Sequence, residues 1–166
     1  MSVYLTSGTY DYLKGIQEEH GEDTVFLMQG EEKTLAYTEK DNVFQEPFVY
    51  EVVDKVGSMQ HSGFVIMNNI PVTDEGRPIF EDRFKNRAGA VEDSPGFQAV
   101  RILRPTEGNT YVVLTQWDSV DSFENWKNSQ SFQKAHQNSG PQSKEKPSFA
   151  AGPAYLTKYH MTKDHD

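Results

Sequence analysis

The sequence carries nearly the same order of apolar runs and helix signals twice, offset by about 60–70 residues, and few folds accept such a chain. In the first half, Val3-Tyr-Leu-Thr reads as a strand. A helix follows near Tyr10–His20, with Tyr10, Leu13 and Ile16 on one face, Asp11 in its first turn and Gly21 as its stop. Val25-Phe-Leu-Met and Thr34-Leu-Ala-Tyr-Thr form a hairpin across Gly30-Glu-Glu-Lys. Pro47 then opens a predicted helix, in which Val49, Val52, Val53 and Val56 make an i, i+3, i+4, i+7 stripe that ends at Gly57. In the second half, Phe64-Val-Ile-Met-Asn-Asn-Ile reads as a strand. Gly76 and Pro78 introduce a helix to about Ala88, with Ile79, Phe80 and Phe84 on one face. Strands over 97–103 and 110–117 flank a turn at 105–109. Asp118 or Ser119 caps a helix whose apolar face is Val120, Phe123 and Trp126. A Pro-, Gly-, Ser- and Lys-rich loop over 138–153 leads to a last strand over 154–160.

The halves thus read β-α-β-β-α and β-α-β-β-α-β, a duplicated ferredoxin-like α+β unit. Helices cover one face of each sheet and leave the other apolar. Two antiparallel sheets are therefore expected to pack within one chain, as a sandwich or a barrel of the dimeric α+β barrel type. Residues 1–60 form the N-terminal half and residues 61–166 the C-terminal half. A chain holding both halves is expected to be a monomer, an internal pseudo-dimer.

Composition narrows the function classes. The formal charge is −9, so nucleic acid and anionic membranes are not expected partners, because binding phosphates needs a basic face. There is no cysteine, which removes disulfides, thiolate metal sites and cysteine nucleophiles. No window approaches the ~18 apolar residues of a membrane span, and the first residues do not read as a signal peptide. The expected location is the cytoplasm. No P-loop, HExxH or Gly-x-Ser-x-Gly pattern occurs.

The stretch over 126–136, W-K-N-S-Q-S-F-Q-K-A-H, places Trp126 and His136 ten residues apart. On an ideal helix they lie within about 80° of each other, and a break near Asn128 and Ser129 brings their rings closer. By spacing alone, Trp126 reads as a core anchor and His136 as a surface residue. Other residues add to this pair: Asn68-Asn-Ile-Pro-Val-Thr-Asp-Glu-Gly, Glu81-Asp-Arg-Phe, Pro95-Gly-Phe, Thr115-Gln-Trp117, Phe123-Glu-Asn-Trp126 and Phe132-Gln-Lys-Ala-His136. Together they resemble the antibiotic-biosynthesis-monooxygenase family over about residues 63–160, and within it the IsdG-type heme-degrading monooxygenases. The length and N-terminal extension resemble its two-half members.

The resemblance implies three site residues. Asn68 matches the family's strand Asn, Trp126 its helix-associated Trp, and His136 its heme ligand. Asn68 and Asn69 point to opposite faces of a strand, so only one lines a pocket, and the spacing to Arg83-Phe84 favours Asn68. The implied activity is heme degradation, with heme as both substrate and cofactor. An external electron donor, from an unidentified reductase, is needed, since no flavin or nicotinamide fingerprint is present. His136 is the implied axial ligand of the iron, Trp126 the wall that bends the porphyrin, and Asn68 a hydrogen-bond donor to the iron's distal ligand. Ser7, the expected counterpart of Asn68 in the first half, offers no amide, so one heme per chain is expected. His20, His61, His160 and His165, the carboxylates Glu81 and Asp82, and most of Arg77, Arg83, Arg87, Arg101 and Arg104 are expected to be surface residues. A non-enzymatic heme-binding or regulatory protein, and a cofactor-independent quinol oxygenase, are the competing readings, because fold does not dictate function.

Overall fold

A computed structural model describes residues 1–85, 91–128 and 149–162. Its elements are β1 (Ser2–Gly8), α1 (Tyr10–His20), β2 (Phe26–Gln29), β3 (Thr34–Thr38), β4 (Phe48–Gly57), β5 (Phe64–Pro71), α2 (Arg77–Lys85), β6 (Phe97–Pro105), β7 (Thr110–Trp117), α3 (Val120–Lys127) and β8 (Tyr155–Met161). The strands close into one antiparallel barrel in the order β1-β3-β2-β8-β5-β7-β6-β4. The four N-terminal strands follow the spatial order β4-β1-β3-β2, and the four C-terminal strands the corresponding order β8-β5-β7-β6. The two sets join where β2 pairs with β8 and β4 with β6.

Two expectations are corrected here. The segment after Pro47 is strand β4, not a helix, and the strands form one closed sheet instead of two packed ones. Both corrections have one cause. Between Val52 and Asp54 the β4–β6 register shifts by one residue. This bulge interrupts the period of two. Val52 then packs into the barrel lumen, while Val53 and Val56 pack on the outer cluster. A bulged strand with β-branched residues on both faces shows the same spacing as a helical stripe. As a strand, β4 pairs with both β1 and β6 and leaves neither edge open. Gly57 ends it with φ 73°, where a Cβ would collide with the Gln98 carbonyl of β6.

Three apolar clusters follow from strand alternation. Val3, Met28, Val65, Leu103, Leu114 and Met161 fill part of the lumen. Leu13 and Ile16 of α1 cover Val25, Leu27 and Ala36 on the outer surface. There the side chain of Gln17, buried under α1, donates to the Val25 carbonyl at 2.8 Å. The third cluster, under α2 and α3, holds Phe64, Ile66, Ile70, Phe80, Trp117 and Phe123. Each fully buried large side chain of these clusters contributes roughly 1.5–3 kcal/mol.

One end of the lumen is closed by polar groups. Arg101 points inward from β6 and is only 2% exposed, so the surface reading fails for this arginine. Its Nε donates to Glu39 Oε2 at 2.6 Å, and its Nη atoms donate to the carbonyls of Val56, Gly57 and Val100. The Tyr37 hydroxyl donates to the same Glu39 oxygen at 2.6 Å. Burial first, and then Glu39, push the Tyr37 phenol well above its ordinary value. Beside this group, Gln116 exchanges hydrogen bonds with the backbone of Gln60. Among the described residues, no helix is long and apolar enough to cross a membrane.

Candidate functional site on the outer face of the barrel

Strand β5 runs along the middle of the C-terminal set, and its two faces have different fates. Val65 and Met67 enter the lumen, whereas Phe64, Ile66 and Ile70 join the outer cluster. By the same alternation Asn68 stands on the outer face and Asn69 on the lumen side. Asn69 Nδ2 is spent on the Met67 and Tyr155 carbonyls and Thr157 Oγ1. The half-buried Asn68 side chain forms no hydrogen bond with the described residues. Its neighbours on the outer face are apolar: Ile66 and Ile70 along the strand, Val113 across β7 and Leu156 across β8. Leu156 is 51% exposed, so the described residues leave this patch partly uncovered. An uncommitted amide inside an apolar patch fits a flat, largely apolar ligand that carries one polar centre.

Helix α3 brings Trp126 to the same cluster. Ser119 caps the helix by accepting from the Ser122 N–H, and the helix stops at Lys127 with Asn128 as its C-cap, next to the break anticipated near Asn128 and Ser129. Gly96 lets the helix N-terminus approach closely, since a Cβ there would strike Ser122. Half-buried Trp126 packs against the fully buried Trp117, with ring centroids 5.5 Å apart, and lies 6.3 Å from Phe123. Two of the three expected site residues, Asn68 and Trp126, thus belong to one face of the barrel. The third, His136, lies outside the described residues, as do Phe132, Arg87 and His165.

Helix α2 is held over this face by a lock that its sequence does not announce. Arg104 grips Glu81 with two hydrogen bonds, Nε at 2.8 Å and Nη2 at 2.6 Å. The buried Tyr111 hydroxyl also donates to Glu81 Oε2. Glu81 is therefore a partnered, half-buried group and not a free surface carboxylate. Above it, Phe80 packs on Tyr111 at 4.5 Å and Phe149 at 5.3 Å. Arg83 lies over the Phe149 ring at 5.4 Å, and Arg77 over Tyr111 at 5.7 Å. Glu81 and Arg104 are too far apart in sequence for any local pattern to pair them. Of the four histidines set aside as surface groups, His61 is half-buried and stacks on Phe26 at 4.2 Å, and His160 lies 5.0 Å from Phe64. Ser7 lines the lumen, so it does not occupy the position that Asn68 has on the outer face.

The lock titrates at both ends of the pH scale. The hydrogen bond from Arg104 holds the Glu81 carboxyl below its usual range, and burial followed by Glu81 pushes the Tyr111 phenol up to about 12. Below about pH 4.5 the unfolded chain binds the Glu81 proton first, so stability falls as pH falls through that range. Between pH 10 and about 12 the unfolded chain releases the Tyr111 proton first, so stability falls as pH rises. Urea midpoints measured across pH should show both limbs, and Glu81→Gln should flatten the acid one. An unchanged acid limb in that variant would rule out this role for Glu81.

The fold and the site together define an α+β protein with a closed eight-stranded antiparallel barrel and an aromatic, helix-covered apolar patch on its outer face. The pattern of the antibiotic biosynthesis monooxygenase family matches residues 63–138. The chain is 30% identical over 129 residues to a heme-degrading monooxygenase of Listeria monocytogenes, covering 76% of this chain and 77% of that protein. It is also 25% identical over 134 residues to the signal transduction protein TRAP of Staphylococcus epidermidis, covering 80% of each. A solved structure described as a major regulator of staphylococcal pathogenesis superposes with a TM-score of 0.83 at 19% identity, over 97% of this chain and 99% of that one. The chain belongs to the antibiotic biosynthesis monooxygenase family.

Proposed function

We propose that this protein is a heme-degrading monooxygenase. It binds heme through His136 and opens the porphyrin ring with O2 and electrons from an external reductase, releasing iron. The observation that carries this reading is the uncommitted amide of Asn68, set in an apolar patch on the face that also holds Trp126. Heme is then the substrate and also the group that activates oxygen. The chain's own residues divide the remaining work. His136 would hold the heme iron through a neutral imidazole nitrogen. Trp126, braced by Trp117 and Phe123, presses on the porphyrin plane. Asn68 would offer its amide hydrogen to a polar group of the bound heme complex. Ile66, Ile70 and Val113 keep water away from that hydrogen bond. Asn68→Ala should retain heme and its Soret band while turnover with ascorbate falls on the order of 100-fold, the loss expected for one preorganised donor. Wild-type turnover in that variant would remove Asn68 from the mechanism.

The similarity to TRAP supports a second reading, a heme-binding or regulatory protein without turnover. Adding ascorbate to the heme-loaded protein separates the two. Loss of the Soret band with release of iron and a ring-opened product identifies the enzyme. A Soret band that persists for an hour identifies the binding protein. Oxygenation of a quinol by the heme-free protein would point instead to cofactor-independent chemistry.

A further inference from the structure

The barrel has a second cavity, on the other side of β5 from Asn68. Its volume is about 660 Å³, and it occupies the end of the lumen opposite the Arg101–Glu39 plug. An eight-stranded barrel is just wide enough either to be filled by side chains or to hold one small ligand, and this one is filled at one end and hollow at the other. Leu5, Leu35, Met67 and Val112 provide an apolar floor. Over that floor stand the phenols of Tyr50, Tyr155 and Tyr159. Tyr159 is only 5% exposed, yet its hydroxyl forms no hydrogen bond with the described residues. The Tyr50 hydroxyl has no such partner either, and burial followed by Tyr155 and Tyr159 raises its pKa, so it stays protonated and able to donate. Asn69, tethered through its Nδ2, lines the same cavity. The rim is aromatic and open, with Phe48 69% and Tyr155 56% exposed.

We propose that this end of the lumen is a binding site for a neutral, ring-containing small molecule with carbonyl or hydroxyl oxygens. The charges around the cavity favour a neutral ligand. The ionisable side chains among the described lining residues, apart from the tyrosines, are Lys33, Glu46 and Glu107, all in or beside the loops at the mouth and of mixed sign. No buried cation waits for an acid, and no buried carboxylate for an amine. Phenols at a cavity mouth with unspent donors suit a ligand that brings acceptors, and an apolar floor suits a ring. This site is separate from the outer face and does not depend on the proposed reaction with heme.

The test uses the full chain labelled with 13C at the methionine methyl groups and 1-tetralone as the probe, a neutral two-ring ketone. Met67 lines the cavity, whereas Met59 packs in the lumen but does not line it. Titration should shift the Met67 signal and leave Met59 in place. Tyr159→Phe should weaken binding about three- to tenfold, the worth of one hydrogen bond, with Asn69→Leu as an independent second variant. Leu35→Trp, which narrows the cavity, should weaken binding while the protein still melts cooperatively. The charged analogue 1-naphthoate should bind at least about tenfold more weakly, since burying an unpaired charge is unfavourable. The proposal is overturned if millimolar tetralone leaves Met67 unshifted, if both polar-site variants bind like wild type, or if heme displaces the ketone.

Discussion

His136→Ala is expected to lower heme affinity by at least about 100-fold, because losing even an outer-shell partner of a metal ligand commonly costs 10–100-fold. The remaining apolar patch, with Trp126 and Asn68 intact, should still hold some heme by contact alone. The Soret band of that residual complex should be shifted, because the histidine nitrogen is missing from the iron. Adding imidazole to the variant should restore the wild-type spectrum by replacing the missing ligand. The measurement is a heme titration followed by absorbance, with and without imidazole. A variant that binds heme with wild-type affinity and spectrum would move the iron ligand elsewhere. The described histidines, His20, His61 and His160, would then be the next positions to replace.

The second large effect concerns stability. Glu39→Ala should destabilise the fold by about 3–5 kcal/mol, because it leaves the Arg101 guanidinium charged and unpaired inside the barrel. The Arg101 side chain is 3% exposed and that of Glu39 20%, so water compensates little. Tyr37 loses its acceptor in the same variant. Removing both charges should be milder: Glu39→Leu combined with Arg101→Met should recover much of the loss, since an apolar pair of similar size escapes the cost of desolvation. Chemical denaturation of the three proteins gives the comparison. Equal stability of Glu39→Ala and wild type would show that the plug contributes nothing.

Local periodicity made the faces of the candidate residues legible, while the choice of those residues rested on the family resemblance. The alternation along 64–70 separates Asn68 from Asn69, and the structure gives them opposite faces with different company. The apolar face of Val120, Phe123 and Trp126 needed only the helical period, and Ser119 is the cap. The failures share the opposite character. The valines after Pro47 matched a helix because a bulge at Val53 changes a strand's period from within, and a bulge is set by the partner strand β6. The lumen position of Arg101 was hidden because its counter-ion, Glu39, stands just past the end of β3, 62 residues away in sequence. The same holds for Glu81 and Arg104, 23 residues apart.

Residue pattern thus carried, outside β4, which segments extend and which of them coil, and which face of its strand or helix Asn68 and Trp126 occupy. These follow from backbone sterics and from side-chain period, both of which act over a few residues. The tertiary structure alone decided that β4 is a strand, that it closes the barrel against β6, and that the lumen is plugged by charge at one end and hollow at the other. Those outcomes depend on edges that need partners and on a buried charge that needs a counter-charge, and only the folded chain brings such groups together.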